Sequence, residues 1–307
     1  MEIYRGIDEI KFLKNPIVTL GGFDGLHRGH RKIIDHLVDT AAKDNTEALL
    51  ITFYPHPRIV LGKDLSEFSL LTTIEEKIEL LEKTGIHHLL IFPFTVEFSH
   101  LTAYEFTRDF LVNKIGVSKL VIGFNHHFGM DREGNYLKLE HYAKEFGFKV
   151  EEISEQILSD VTVSSTKIRK ALFTGDINKA NYFLGYNFSM SGTVVHGNHL
   201  GRTIDFPTVN LHKDDPFKLI PANGVYAVKV FIGDIEKKGM TNIGIRPTLN
   251  LTEKTIETHI FDFNEDIYGK KIKISFVERL RDEIKFENID LLKDQLKKDK
   301  KAAENFL

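Results

Sequence analysis

Two histidines three residues apart, His27 and His30, sit in a stretch, GGFDGLHRGH at 21–30, that also holds four glycines. The run before it, Ile17-Val18-Thr19-Leu20, reads as a buried strand, and the residues from Arg31 onward read as a helix. A strand thus passes into a helix through glycines that let the backbone turn tightly and approach a ligand. At the helix start the two imidazoles share one face. A helix N-terminus offers free N–H groups and the positive end of the macrodipole, which suits a phosphate. Two imidazoles held there would stabilise charge developing on a reacting phosphorus. Taken alone, the stretch also describes a glycine-rich turn with two solvent-facing histidines.

Other segments carry compatible chemistry. TFYPHP (52–57) and GFNHHFGMDREGN (123–135) each follow a strand-like run, and VSSTKIRKAL (163–172) joins hydroxyls to Arg169 at an expected helix start. Ser164, Ser165, Thr166 and Arg169 are suitable phosphate ligands, since hydroxyls donate and a guanidinium grips bidentately. By itself this segment also reads as an N-cap with a basic first turn. A second set lies in VVHGNHLGRTIDFPTVNL (194–211), NGVYAV (223–228), TNIGIRPT (241–248), IETHIFDFNEDIYG (256–269) and VERLRDEIKF (277–286). Gly197, Gly201 and Arg202 describe a flexible, donor-rich loop able to wrap phosphates. Thr208 and Asn210 offer neutral oxygens to a hard cation such as Mg²⁺. Glu257, on an alternating strand, is placed to turn its carboxylate into a site as a general base. Each also has a plain alternative: a proline-initiated turn for PTVN, an exposed strand residue for Glu257.

The elements that must position these residues fall into two halves. From 17 to about 153, the apolar runs Val18–Gly22, Ala48–Phe53, Leu89–Phe92, Leu120–Gly123 and Phe148–Ile153 alternate with helical patterns. Thr73 with Glu76 and Thr102 with Glu105 are capping boxes, and Gly85 and Gly116 close those helices. The expectation is an α/β, doubly wound parallel sheet, whose ligands bind beyond the carboxyl ends of its strands, where 21–30 falls. After about 186 the runs Ser191–Val195, Val225–Ile232, Met240–Ile245, Thr255–Phe263 and Lys271–Val277 are strand-like, several alternating with period two. They predict an antiparallel β-barrel or sandwich, closed by a C-terminal helix from about Asn288 with an Ile289, Leu292, Leu296 stripe. The cluster Lys297-Lys298-Asp299-Lys300-Lys301 reads as a solvated face. The junction falls near Gly175–Asn187, giving expected domains 1–180 and 186–307.

A chain of 307 residues is long enough for two cores, and 42% hydrophobic with 28% charged residues describes an ordinary globular protein. The net charge of −3 supplies no basic field for a nucleic-acid backbone. There is no cysteine, which excludes disulfides, thiolate nucleophiles and cysteine zinc sites and is compatible with a reducing cytoplasm. MEIYRGIDEIKFLK lacks the apolar core of a secretory signal, and no run nears the roughly 18 apolar residues of a membrane span. The expectation is a cytoplasmic protein with neither nucleic-acid nor membrane partner and no obligate protein partner.

Together the motifs resemble the bacterial bifunctional riboflavin kinase/FMN adenylyltransferase (FAD synthetase) family over essentially the whole chain. Its HxGH element is matched by His27–His30, its SSTxIR element by Ser164–Arg169 and its PTxN element by Pro207–Asn210. The resemblance implies a nucleotidyltransferase-type N-terminal domain that transfers AMP from ATP to FMN, giving FAD and pyrophosphate. It implies a barrel domain that phosphorylates riboflavin, both steps using ATP and Mg²⁺. It further implies that Gly22, Phe23, Asp24 and Gly25 lie against the ATP phosphates, which His27 and His30 contact in the transition state. Ser164, Ser165, Thr166 and Arg169 would hold the terminal phosphates, and Asn125 would position the reactants. In the barrel, Gly197, Gly201 and Arg202 would bind ATP, and Thr208 and Asn210 would arrange Mg²⁺ and its phosphates. Glu257 would take the proton of the ribityl 5′-hydroxyl, and Arg279 or Arg281 would contact flavin. The physics agrees, because phosphoryl transfer needs in-line positioning and charge neutralisation more than a covalent nucleophile.

The chain departs from the family pattern twice. His126 stands where many members carry an aromatic. Asp205 stands where glycine is common, and beside a phosphate loop its charge is expected to repel ATP unless it points away or faces Mg²⁺. A zinc site from His27, His30, His126 and His127 lacks any metalloprotease-type carboxylate motif. Two other readings remain: an enzyme with one competent half, the kinase being affected by Asp205, and a flavin-binding regulator without chemistry. Against the regulator stand His27, His30, Arg169, Thr208, Asn210 and Glu257, since a binder has less need of a base.

Overall fold

The computed structural model describes residues 1–10, 13–62, 64–65, 68–123, 127–153, 163–197, 201, 204–247 and 252–307. Its contacts divide the chain into two compact units, Met1–Phe68 with Ile74–Val163, and Ser69–Thr73 with Ser164–Leu307.

The first unit is built on six parallel strands: β1 (Glu2–Tyr4), β2 (Ile17–Leu20), β3 (Ala48–Tyr54), β4 (His88–Pro93), β5 (Lys119–Gly123) and β6 (Lys149–Ile153). Their order is β1-β4-β3-β2-β5-β6. All five expected runs are strands, and β1 is an addition at the edge. Helices cover both faces, which is why the strands read as continuous apolar runs. Leu49 and Ile51 of β3 pack with Phe106 and Leu111. Leu50 between them faces the other way, toward Ile34 of α1 (Arg28–Asp44), after which come the short α2 (Pro57–Val60) and α3 (Ile74–Leu81). Past α4 (Val96–Ser99), the Thr102/Glu105 capping box starts α5 (Ala103–Glu105) with both reciprocal bonds made. The helix runs on as a π-helical stretch, Phe106–Ile115, to a left-handed Gly116. α6 (Tyr136–Phe146) leads into β6. Strand order reverses at β2, which pairs with β3 on one side and β5 on the other. That switch point opens a crevice at the strands' carboxyl ends.

The second unit contains a closed barrel in the order β10-β11-β8-β7-β12-β9. Its strands are β7 (Ser189–Val195), β8 (Val209–Lys213), β9 (Gly224–Ile232), β10 (Ile235–Pro247), β11 (Thr252–Ile260) and β12 (Lys271–Arg281), paired antiparallel. Before it stand α7 (Ser165–Phe173) and α8 (Ile177–Leu184). Their Ile168, Leu172, Ile177 and Leu184 belong to one buried cluster with Tyr226, Val228 and Phe276. That packing places both helices in the compact unit of the barrel. The segment 69–73 joins it through Leu70 N–H to Phe217 O (2.7 Å) and Lys218 Nζ to Leu71 O (2.7 Å). Asn288 caps α9 (Ile289–Glu304), as expected, and Leu292 and Leu296 pack with Phe206, Met240 and Ala303. Ile289, placed on that stripe by spacing, is instead 55% exposed. Within the lysine cluster, Asp299 is buried and not solvated, while Lys297, Lys298 and Lys301 are exposed.

A fragment beginning at Ser164 is expected to melt well above one beginning at Tyr186. The shorter one uncovers the apolar surface under α7 and α8, at roughly 1.5–3 kcal/mol for each fully buried aliphatic side chain. Equal thermal midpoints would show that these helices add nothing to the barrel.

Candidate active sites

At the switch point β2 ends at Leu20, and Gly21 N–H still bonds to Ile51 O at 3.0 Å. The chain then passes through left-handed backbone at Phe23 (φ 43°), Gly25 (81°) and Leu26 (36°). Left-handed conformations at two non-glycine residues are strained, and such strain gathers at ligand sites. Phe23, Asp24, Leu26 and His27 are all buried. His27 caps α1, its Nδ1 accepting from His30 N–H at 3.2 Å. An accepting Nδ1 carries no proton, so neutral His27 keeps its N–H on Nε2. The two rings stack at 3.6 Å between centroids, 13° apart in plane, and Phe23 meets His30 edge-on at 5.1 Å. Among the described residues His30 Nδ1 is buried without a hydrogen-bond partner. Burial above all, then the nearby His27 ring and the Lys77 ammonium, holds the His30 imidazole well below its ordinary 6.5. At neutral pH it is an uncharged donor.

Two features of this crevice escaped the sequence reading. Lys77 of α3 is buried and donates to Gly22 O (2.7 Å) and Thr52 Oγ1 (3.1 Å). Its signal was a lysine at a helical spacing shared with Ile74 and Leu81. At the ends of β3 and β4, Phe53, Phe92, Phe94 and Phe98 form a half-buried aromatic ledge, with neighbouring centroids 4.5–6.4 Å apart. TFY and IFPF were its signal. Asn125 and His126 lie outside the described residues, and His127 is exposed. Ser164 caps α7, accepting from Lys167 N–H, and Arg169 Nε donates to Ser69 O at 2.7 Å. Ser164, Ser165, Thr166 and Arg169 belong to the second compact unit, His27 and His30 to the first.

In the barrel, Glu257 and Asn210 are direct partners across β11 and β8, so their side chains neighbour each other on one face. Two cavities meet at Thr208. The larger, about 620 Å³, is lined by Asp205, Pro207, Thr208 and the Phe263–Tyr268 loop. The smaller, about 230 Å³, is lined by Thr208, Glu257, His259, Arg281, Phe206, Met240 and Phe286 among others. His259 bonds through Nδ1 to Pro207 O at 2.8 Å, and burial lowers its pKa. Thr208 and Asn210 oxygens beside a carboxylate suit a Mg²⁺ ion that keeps its water and phosphate ligands.

The glycines work by close approach. A Cβ on Gly197 would lie 2.0 Å from the Asn210 amide, and one on Gly201 would lie 2.2 Å from Phe206 O. Arg202 lies outside the described residues. Arg281 reaches the smaller cavity, its guanidinium gripped by buried Asp299 (2.6–3.0 Å). Arg279 instead donates to Asn223 O and Asp282, packed against Gly175 and Gly224, and is not among the residues lining either cavity. Asp205 pairs with Lys293, which lowers its pKa, and its φ of 63° is the left-handed backbone that glycine adopts freely.

Comparison with known proteins gives two family matches, FAD synthetase over residues 9–167 and riboflavin kinase over 184–307. The bifunctional riboflavin kinase/FMN adenylyltransferase of Escherichia coli K12 is 35% identical across all of this chain and 98% of its own length. That of Haemophilus influenzae is 38% identical, covering 100% and 99%. A crystal structure from Streptococcus pneumoniae, described as a macrolide-efflux protein, matches with TM-score 0.88 and 32% identity over 99% of each chain.

Proposed function

The chain belongs to the bifunctional riboflavin kinase/FMN adenylyltransferase family, and from that premise we propose how its two sites divide the work. Riboflavin is phosphorylated by ATP in the barrel, and FMN is then adenylylated by ATP at the switch-point crevice. The observation that carries this reading is that the two sites hold different equipment. The kinase nucleophile is an alcohol, which must lose a proton, and there Glu257 stands opposite Asn210. The adenylyl acceptor is an FMN phosphate oxygen, already ionised, and there the chain supplies an imidazole held neutral as a donor.

In the barrel, ATP occupies the larger cavity and riboflavin the smaller, with Thr208 where γ-phosphate and 5′-hydroxyl meet. Glu257 accepts the hydroxyl proton as the oxygen bonds to the γ-phosphorus and ADP leaves. Mg²⁺, held by Thr208 and Asn210, neutralises phosphate charge when bound. Arg281, charge-matched by Asp299, offers flavin a planar face, a role that Arg279 does not share. Gly197, Gly201 and Arg202 serve ATP, as the family motif implies, with Gly201 on the wall of the smaller cavity.

At the crevice, a phosphate oxygen of FMN attacks the α-phosphorus of ATP and pyrophosphate leaves. His27 and His30 donate to the charge that builds there, and the 22–25 turn presents backbone N–H groups. The ledge around Phe53 gives FMN an apolar seat. Ser164, Ser165, Thr166 and Arg169 take the terminal phosphates and Asn125 orients the reactants, as the family motifs imply. The functional domains on this reading are 1–180 and 186–307. A cytoplasmic location belongs to the same proposal.

The test is to incubate the purified chain with riboflavin, ATP and Mg²⁺ and resolve the flavins with time. FMN should rise first and FAD follow. A single product would leave one competent half, and bound but unchanged riboflavin would make the chain a regulator. Among the described residues no helix is long and apolar enough to cross a membrane.

Asp205 bears on the kinase directly. Its charge is answered by Lys293, so Asp205→Gly is expected to leave KM for ATP within about twofold, as for other exposed ion pairs. Lys293→Met should raise that KM more, because it leaves the carboxylate unanswered beside the larger cavity. A large fall in KM for Asp205→Gly would show that Asp205 faces the phosphates after all.

A further inference from the structure

Stability gives no reason for Lys77. A cation buried on the apolar face of α3 costs free energy that an apolar side chain of similar volume would not. Burial draws its pKa down to about 8, against the pull of Asp24. Its two hydrogen bonds go to neutral oxygens at the tips of β2 and β3: Gly22 O at 2.7 Å and Thr52 Oγ1 at 3.1 Å. Thr52 Oγ1 in turn lies 3.4 Å from Gly22 O, so both side chains hold one carbonyl.

That carbonyl fixes a peptide plane. A trans peptide points its C=O and N–H in opposite directions, so turning Gly22 O inward to Lys77 turns the Phe23 N–H outward. Gly22 is exposed, and the Phe23 N–H makes no hydrogen bond among the described residues. Phe23 has left-handed backbone, as do Gly25 and Leu26 just before His27. Amides in such a run converge on a concavity that binds anions.

We propose that Lys77 is a positioning residue for adenylyl transfer, which by gripping the Gly22 carbonyl aims the Phe23 N–H at the phosphates of ATP. This rests on the adenylyltransferase reading of the crevice. An ammonium suits the task because a charge-assisted bond to a carbonyl is stronger than a neutral one.

The experiment uses the full chain and compares wild type, Lys77→Met, Lys77→Gln and Thr52→Val, with FMN and ATP as substrates. Lys77→Met should lower kcat for FAD formation by about 10²-fold, the loss expected when reacting groups are misplaced by an ångström. KM for FMN should stay within about threefold, and riboflavin phosphorylation by the same molecules should be unchanged, since a seat and a second site are left intact. Lys77→Gln keeps an N–H able to reach Gly22 O and should recover kcat about tenfold over Lys77→Met. A Lys77→Met chain at wild-type kcat overturns the proposal, as does a Lys77→Gln chain no faster than Lys77→Met. Should Lys77→Met fail to fold, Thr52→Val decides: a fall in FAD kcat with KM for FMN unmoved supports the proposal, and a wild-type rate overturns it. A wild-type chain that forms no FAD overturns the adenylyltransferase reading and this proposal together, whereas FAD formation untouched by these variants overturns this proposal alone.

Discussion

His30→Ala is expected to slow FAD formation from supplied FMN by about 10²–10³-fold, the loss of one donor aimed at transition-state charge. Phosphorylation of riboflavin should persist in the same sample. His27→Ala should match it and add a structural cost, because His27 Nδ1 also accepts from His30 N–H at the start of α1. Losing such a cap costs about 0.5–2 kcal/mol. His27→Asn separates the two effects, since asparagine caps well but presents no imidazole N–H to the phosphates. It should restore the melting temperature and leave FAD synthesis slow. Acid stability provides an independent check on the protonation state. The folded His30 pKa lies below the ordinary 6.5, so as pH falls below about 6.5 the unfolded chain takes up a proton that the folded chain refuses. Stability is therefore lost toward acid, and His30→Ala should flatten that loss. Equal loss of both activities would point to unfolding, and unchanged FAD synthesis would leave the histidines as bystanders.

What made these histidines legible was local. A strand, a glycine turn and two histidines on one helical face are all written within fourteen residues, 17–30, and the parallel strands announce themselves because both faces are buried. β1 did not, since three residues with one of them charged, on an edge, carry no pattern. β8 is hidden in the sequence because Pro207–Asn210 reads as a motif, while its last two residues, Val209 and Asn210, open a strand. Lys77 and Asp299 were missed for a common reason. A buried charge gains its meaning from a partner distant in sequence, Gly22 for one and Arg281 for the other, and periodicity reports only the apolar face around it.

Arg279 and Arg281 show the limit of alternation itself. Two residues apart on β12, they should share a face and a role. Instead the register with β9 shifts between them, as it also does between Phe276 and Glu278. A bulge of this kind re-aims the side chains that follow it. Arg281 therefore turns to Asp299 and the smaller cavity, and Arg279 to Asn223 and Asp282. The placement of α7 and α8 is likewise tertiary. Their spacing announces two amphipathic helices, but only the buried cluster shared with Tyr226 and Phe276 shows which core they complete.

Glu257→Gln is expected to lower kcat for FMN synthesis by about 10²–10⁴-fold, the range a general base contributes. The substitution keeps volume and strand geometry at the position opposite Asn210, and removes the charge and the proton acceptor. Riboflavin and ATP should therefore bind as before, measurable by flavin fluorescence, and FAD formation from supplied FMN should be untouched. The size of the loss discriminates between two roles. Phosphoryl transfer proceeds through a loose transition state in which the attacking oxygen has little bond to phosphorus, so the hydroxyl proton need not leave early. If Glu257 only orients the hydroxyl, glutamine can still accept a hydrogen bond through its amide oxygen, and kcat should fall by about tenfold or less. A loss beyond about 10² requires that the proton be taken by the carboxylate. Asn210→Ala supplies the contrast, because it removes a neutral oxygen proposed to serve Mg²⁺. Its defect should ease as Mg²⁺ is raised, whereas no concentration of the ion restores a missing base. If added Mg²⁺ rescued Glu257→Gln equally well, the carboxylate would belong to the cation and the base would lie elsewhere.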